Sequence, residues 1–247
     1  MKLNTITRFL NKELKVGSIK DESRNGLQVR SDKEITKIGF AVDACMETFQ
    51  KAKDLGCNLL IVHHGPLWKK QKYKKATQNR IKYLKKSKIS LYAAHLPLDL
   101  HKDYGNNAQI CKVLDITRLT RFGYHHGFPL GYKGTVQRQT INRFTRLVEK
   151  MLQTRCKILK LGPKYIRTIG VSSGGGGFAL EEAMGKLDAF LVGEISHSAF
   201  HHAKESKLNV IIAGHYKTET LGVKALAKLV HERFNIQTVF IDNPTGL

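Results

Sequence analysis

The sequence predicts an α/β fold of two interlinked α/β lobes with mainly parallel sheets. Three observations carry this reading. Apolar runs of strand length recur, among them 58-NLLIVHH-64, 89-ISLYAAH-95, 188-DAFLVGE-194 and 209-NVIIAGH-215. Helical patterns separate them, giving the alternating rhythm of parallel strands covered by crossover helices. That rhythm occurs twice, with a less regular stretch between.

The first residues, MKLNTITRFLNKEL, read as an amphipathic helix without the long apolar core of a signal peptide. Residues 35–43 alternate as a strand. The helix 45–56 follows and stops at Gly56, a usual C-terminal signal. Strand 58–64 leads into the basic segment 69–88, read as a helix with Ile81 and Leu84 in its apolar stripe. Strand 89–95 is left through a proline in LPLDLH, and GNNAQICKVL reads as the next helix. In the middle, 129–136 is expected as a strand and 140–152 as a helix opened by Thr140, with strands near 156–160 and 165–172. After SSGGGG the regular rhythm returns: helix 178–186, strand 188–194, helix 196–207, strand 209–215, helix 219–234 and strand 236–242. Residues 1–118 are expected to form the first lobe, completed by the C-terminal segment near 221–247. Residues 119–220 form the second.

With 247 residues and 41% hydrophobic side chains, the chain can build a sizeable core and is not of disordered composition. No apolar run has the length of a membrane span. Cys45, Cys57, Cys111 and Cys156 form no C-x-x-C pair, and a reduced cytoplasm is the expected location. Formal net charge is +22. Segment 69–88 holds ten Lys or Arg and no acid, and segment 116–180 holds twelve against the single acid Glu149. Such surfaces attract polyanions without regard to sequence, so nucleic acid is one candidate partner. A solvated helix face is the other reading of the same charge.

Ligands of parallel α/β folds bind beyond the carboxyl ends of the strands. Here those ends carry His63 and His64; His95 with Asp99; Glu194 with His197; and His215 with Glu219. Neighbouring side chains on a strand diverge, so His63 and His64 are awkward ligands for one ion and suited to two. Pro97 disfavours a helix across 95–99. A helix entered at 215–219 would bring His215 and Glu219 together. Imidazoles with carboxylates, and no nearby thiol, point to a transition metal such as Fe, Mn, Zn or Ni. His125 and His126, in a glycine-rich loop, and His201 and His202, mid-helix, are read as surface or packing residues. The run SSGGGG can be a tight turn or a backbone cradle for an anion.

Together VHHGPLWK, AAHLPLDLH, GNNAQ, VGE and AGHYKTE, with DESRNGLQV at 21–29, resemble the Nif-three-like dinuclear-metal family, also called GTP cyclohydrolase I type 2 homologues. The resemblance spans nearly the whole chain. It implies two divalent metal ions per chain between the two lobes, with His63, His64, Asp99, His215 and Glu219 as ligands. By the same resemblance His95 is an additional ligand or a brace, and Glu194 a neighbour of the site. It also implies a toroidal homo-hexamer. The chemistry such a site allows is hydrolysis of a nucleotide or other small anion by a metal-activated hydroxide. The alternatives are non-catalytic binding or delivery of a metal such as iron, and a ring that engages nucleic acid through 69–88 and 116–180.

Overall fold

The computed structural model describes residues 1–246. The last residue of the segment expected to complete the first lobe, Leu247, lies outside the described residues. The chain divides into two compact units. One comprises Met1–Leu98 and Val223–Asn243; the other comprises Asp99–Gly222 with the C-terminal residues from Pro244.

The first unit opens with α1 (Leu3–Glu13), which buries Leu3, Ile6 and Leu10 at helical spacing. Then come β1 (Gly26–Val29), β2 (Lys37–Asp43), α2 (Met46–Asp54), β3 (Leu59–His64), α3 (Lys74–Lys86) and β4 (Ser90–Ala93). Gly56 has φ of +72°, so the left-handed turn anticipated after α2 is present. A short helix, α4 (Leu96–Asp99), follows directly. Pro97 was expected to prevent helix here. It sits in the first turn, where its missing N–H would be unpaired anyway, so the helix forms.

The second unit contains α5 (Asn106–Val113), β5 (Thr117–His125), β6 (Phe128–Thr140), α6 (Ile141–Leu152), β7 (Lys157–Leu159), β8 (Tyr165–Ser172), α7 (Leu180–Ala183), β9 (Ala189–Val192), α8 (Ala199–Glu205) and β10 (Asn209–Ile212). Thr140 caps α6 as expected, accepting from Arg143 N at 3.3 Å. The helix expected over 178–186 is instead a 3₁₀ turn, Gly176–Ala179, followed by α7, and α8 is shorter than the pattern 196–207. α9 (His215–Phe234) starts in this unit, and its later turns, from Val223, belong to the first, as does β11 (Gln237–Phe240).

The first sheet has the order β1-β4-β3-β2-β11. Its four inner and C-terminal strands are parallel, and β1 pairs antiparallel with β4. The second sheet, β5-β6-β8-β9-β10-β7, is mixed. Its centre, β8-β9-β10, is parallel. Antiparallel pairs flank that centre, because the β5–β6 hairpin turns directly back and β7 lies along β10. The hairpin places His125 at the end of a strand and His126 in its turn, with φ of +49°.

Both faces of β3, β4, β9 and β10 are largely buried, which is why they read as unbroken apolar runs. On β9, Ala189 and Leu191 pack into one cluster, while Phe190 and Val192 pack into another. In the first unit Leu60, Val62, Leu91 and Ala93 share a core with Phe49 of α2 and Leu84 of α3. Tyr92, fully buried, donates its hydroxyl to Asn11 Oδ1 at 2.9 Å, tying β4 to α1. Among the described residues no helix is long and apolar enough to cross a membrane.

Candidate metal centre

Each unit carries its own set of donor residues. In the first, β3 ends on His63 and His64, and His95 follows β4. Ligand atoms of the three histidines all lie within 4.8 Å of one another. The ring centroids of His63 and His64 are 4.6 Å apart, and His95 lies 5.1 Å from His63 and 5.5 Å from His64. The divergence expected of strand neighbours is therefore small here. Each ring is drawn forward by a different adjacent strand. His63 Nδ1 donates to Ala94 O at 2.9 Å, on the β4 side, and His64 Nδ1 bonds Asp43 Oδ1 at 2.8 Å, at the end of β2. Gly65 then allows a close approach: a Cβ there would lie 2.7 Å from that of Ala93. The turn is closed by Trp68 Nε1, which donates to Gly65 O at 2.8 Å.

His95 is held by the N-terminal element DESRNGLQV. Its Nδ1 lies 3.1 Å from both carboxylate oxygens of Asp21, and its backbone N–H donates to Asn25 Oδ1 at 2.7 Å. Asp21 also accepts from Ser23 N, Asn25 Nδ2 and Leu96 N. Burial opposes the charge of Asp21, but the His95 contact and these further donors hold its carboxyl well below the usual range. All three histidines thus place Nδ1 on an oxygen acceptor. For a neutral imidazole that fixes the proton on Nδ1 and the lone pair on Nε2, the arrangement that orients histidine for a metal.

In the second unit, His215 opens α9 and Glu219 lies one turn on. His215 Nε2 is 3.3 Å from Glu219 Oε1, and its Nδ1 is 3.2 Å from Glu194 Oε1. The hydrogen bond that His215 donates to Glu219, against the opposing effect of burial and aided by Glu194, raises the His215 pKa to about 9. Glu219 is buried, while the Glu194 side chain is 55% exposed. The run SSGGGG is a tight turn packed on this pair. Gly174, with φ of +57°, places its Cα so close that a Cβ would lie 2.9 Å from Glu219 Cδ and 3.2 Å from His215 Nε2. Its N–H donates to Thr218 Oγ1 at 2.9 Å, and its carbonyl accepts from Glu194 N at 3.0 Å.

Asp99 is buried and accepts from Asn106 Nδ2 at 2.9 Å; Asn106 Oδ1 in turn accepts from Gly222 N at 3.0 Å on α9. Asn107 Oδ1 accepts from Ser173 N at 2.7 Å, so the paired asparagines at the head of α5 brace both Asp99 and the glycine turn. His197, His201 and His202 are exposed, and His125 stacks on Phe178 with centroids 4.5 Å apart. The bracing roles of Asp21, Asn25 and Asp43 were not assigned from sequence. Asp21 and Asn25 lie within an element whose motif was visible, but Asp43 offered only its place at a strand end.

The residues fit a metal by their chemistry: imidazoles with fixed tautomers, buried carboxylates, and positions at the carboxyl edges of strands. Fold and donors define an α/β protein with His and Glu groups that could bind a metal ion. The chain belongs to the Duf34/NIF3 (NGG1p interacting factor 3) family, whose model matches residues 1–246. It is 44% identical over 250 residues to a GTP cyclohydrolase 1 type 2 homolog of Pyrococcus abyssi, covering 100% of both chains. A homolog so described from Archaeoglobus fulgidus is 39% identical, with 100% of both covered. Among solved structures, a Thermus thermophilus protein superposes with a TM-score of 0.91 at 36% identity, covering 100% of both chains. Reduced HcgD from Methanocaldococcus jannaschii gives 0.85 at 26% identity, with 98% of both covered.

Proposed function

We propose that this chain is a dinuclear metal-binding protein whose centre hydrolyses a nucleotide or another small anionic molecule. The single observation that carries the reading is the anchoring of His63, His64 and His95 at Nδ1 by Ala94 O, Asp43 and Asp21. Packing alone does not require three convergent rings to share one tautomer. In this reading His63, His64, Asp99, His215 and Glu219 hold the ions. His95 joins them or steadies the set through its edge-on contact with Trp68, 5.1 Å between centroids.

Two divalent ions would supply Lewis acidity and would lower the pKa of water. The chain's own residues do the rest. Asp21 and Asp43 keep the imidazole rings in place, and Asn106 keeps Asp99 in place. Glu194 holds His215 at Nδ1, 3.2 Å away, and so keeps that ring in place as well. The naming of its relatives as GTP cyclohydrolase 1 type 2 homologs motivates guanine nucleotides as the first substrates to try.

The test is elemental analysis of protein purified without chelator or metal-affinity tag, followed by turnover against a nucleotide panel. About two transition-metal ions per chain, falling in both His64→Ala and Glu219→Ala, with metal-dependent turnover lost in both, is the expected result. Metal retained without turnover on any substrate assigns the chain to metal binding or delivery. Protein that takes up no metal ends the proposal.

A further inference from the structure

The first unit carries a groove that the metal reading meets only at Trp68. It follows one face of α3, where Lys74, Gln78, Ile81, Lys82 and Lys85 recur every three or four residues. Three clefts open on that face. One, about 310 Å³, brings Lys74 together with Arg24, Lys69 and Trp68. The next, about 350 Å³, shares Gln78 and Ile81 with it and adds Lys82 and Lys85. The third, about 480 Å³, shares Lys85 and adds Arg30, Lys33 and Lys88. Their shared residues make them one track. Arg24 and Arg30 flank β1, against which α3 packs, so strand ends and helix supply opposing basic walls. Asp32 is the only acid among the lining residues. Arg30 is already held by Asn4 Oδ1 at 2.9 Å.

We propose that this groove is a binding track for single-stranded nucleic acid, read through its phosphates and not its sequence. Like charges at helical spacing repel one another and weaken the helix, so a row of them with a lone acid nearby is relieved by a polyanion. The clefts, about 310 to 480 Å³ each, are of the size of small-ligand sites. A flat membrane surface would not reach Ile81, which lines two of the clefts and is half-buried against the core. Aromatic rings stand at one end: Trp68 in the cleft wall, and Tyr73, 77% exposed, beside Lys74. Single-strand binders combine such a basic groove with aromatic faces on which bases stack.

The experiment is fluorescence anisotropy of a labelled 16-nucleotide thymidine strand on the full-length protein across a salt series. Log affinity should fall with log salt at a slope of about −3 to −5, as expected if about four to seven phosphates are neutralised at about 0.7 each. Lys82→Glu with Lys85→Glu, and separately Arg30→Glu with Lys33→Glu, should each weaken binding at least tenfold and flatten the slope by about 1.4. Tyr73→Ala should weaken it about fivefold or more. Arg143→Glu with Arg146→Glu, the same charge change on α6, should stay within twofold of wild type. Circular dichroism and metal content confirm that each variant is folded. The proposal is overturned if the α6 pair costs as much as the α3 pair. It is equally overturned by tighter binding of a duplex of the same length, or of vesicles rich in phosphatidylserine.

Discussion

Replacing Gly174 by alanine should disable the second unit's donor pair while leaving the rest of the chain folded. Two effects are expected, and a second glycine separates them. Gly174 and Gly185 both have positive φ, +57° and +68°. Alanine in that left-handed region costs about 1–2 kcal/mol at either position. At Gly185 a new Cβ meets nothing within 4 Å, so strain is the whole effect. At Gly174 the Cβ would lie 2.9 Å from Glu219 Cδ, against about 3.5–4.0 Å for comfortable contact. The Glu219 carboxylate must therefore move by roughly 1 Å, and being buried it cannot swing into solvent. Metal ligands tolerate about 0.2 Å, so affinity should fall by about 10–100-fold. Gly185→Ala should lose about 2–8 °C in Tm, given about 2–4 °C per kcal/mol for a chain of this size, and Gly174→Ala at least as much. Isothermal titration with Mn²⁺ or Zn²⁺ on chelator-stripped protein, alongside thermal melts, reads both quantities. If Gly174→Ala binds metal as tightly as Gly185→Ala, the glycine turn does not set the position of Glu219 and the reasoning fails.

Four further outcomes are expected. Asp21→Asn keeps the shape but loses the charge that orients His95, and metal affinity should drop about tenfold in titrations, with a fall in Tm as well because the buried donors around Asp21 lose a charged acceptor; an unchanged affinity would leave His95 outside the centre. With its pKa raised to about 9, His215 of the metal-free protein is protonated at neutral pH and must lose that proton to bind a metal. Calorimetry at pH 7 in buffers of different ionisation enthalpy should then show about one proton released from His215. The stabilising His215 contacts of the metal-free protein should be complete below about pH 6.5 and lost as pH rises through about 9, visible as falling Tm in wild type but not in His215→Gln. Phe144→Ala, fully buried on α6, should cost about 3–5 kcal/mol in urea unfolding without altering metal stoichiometry.

Much of the fold was legible because strands buried on both faces write themselves as apolar runs. NLLIVHH, DAFLVGE and NVIIAGH are all such runs, and the helices between them keep a 3.6-residue period, as in Ile141, Phe144, Val148 and Leu152 of α6. The β5–β6 hairpin was only half legible. Its exposed first strand carries Arg118, Leu119 and Thr120 without a clean alternation, and its stability comes from pairing with β6. Pro97 misled for a different reason. Proline opposes a helix interior but suits a first turn, and which of these applies depends on where the preceding strand ends.

Of the candidate centre, sequence alone determined the donor types, their order and their places at strand ends. The i, i+4 spacing of His215 and Glu219 also set their proximity once the helix was granted, because helical geometry is local. What only tertiary structure decided is how the rings are aimed. Whether His63 and His64 diverge depends on Ala94 and Asp43, which the sheet brings beside them from other strands. Asp21 reaches His95 across 74 residues, and Gly174 reaches Glu219 from a separate loop. The basic groove is of the same kind, since Arg24, Arg30 and Lys33 meet α3 only through the packing of β1. Patterns along a chain encode what neighbours a few residues apart must do; hydrogen bonds and packing between distant segments fix the rest.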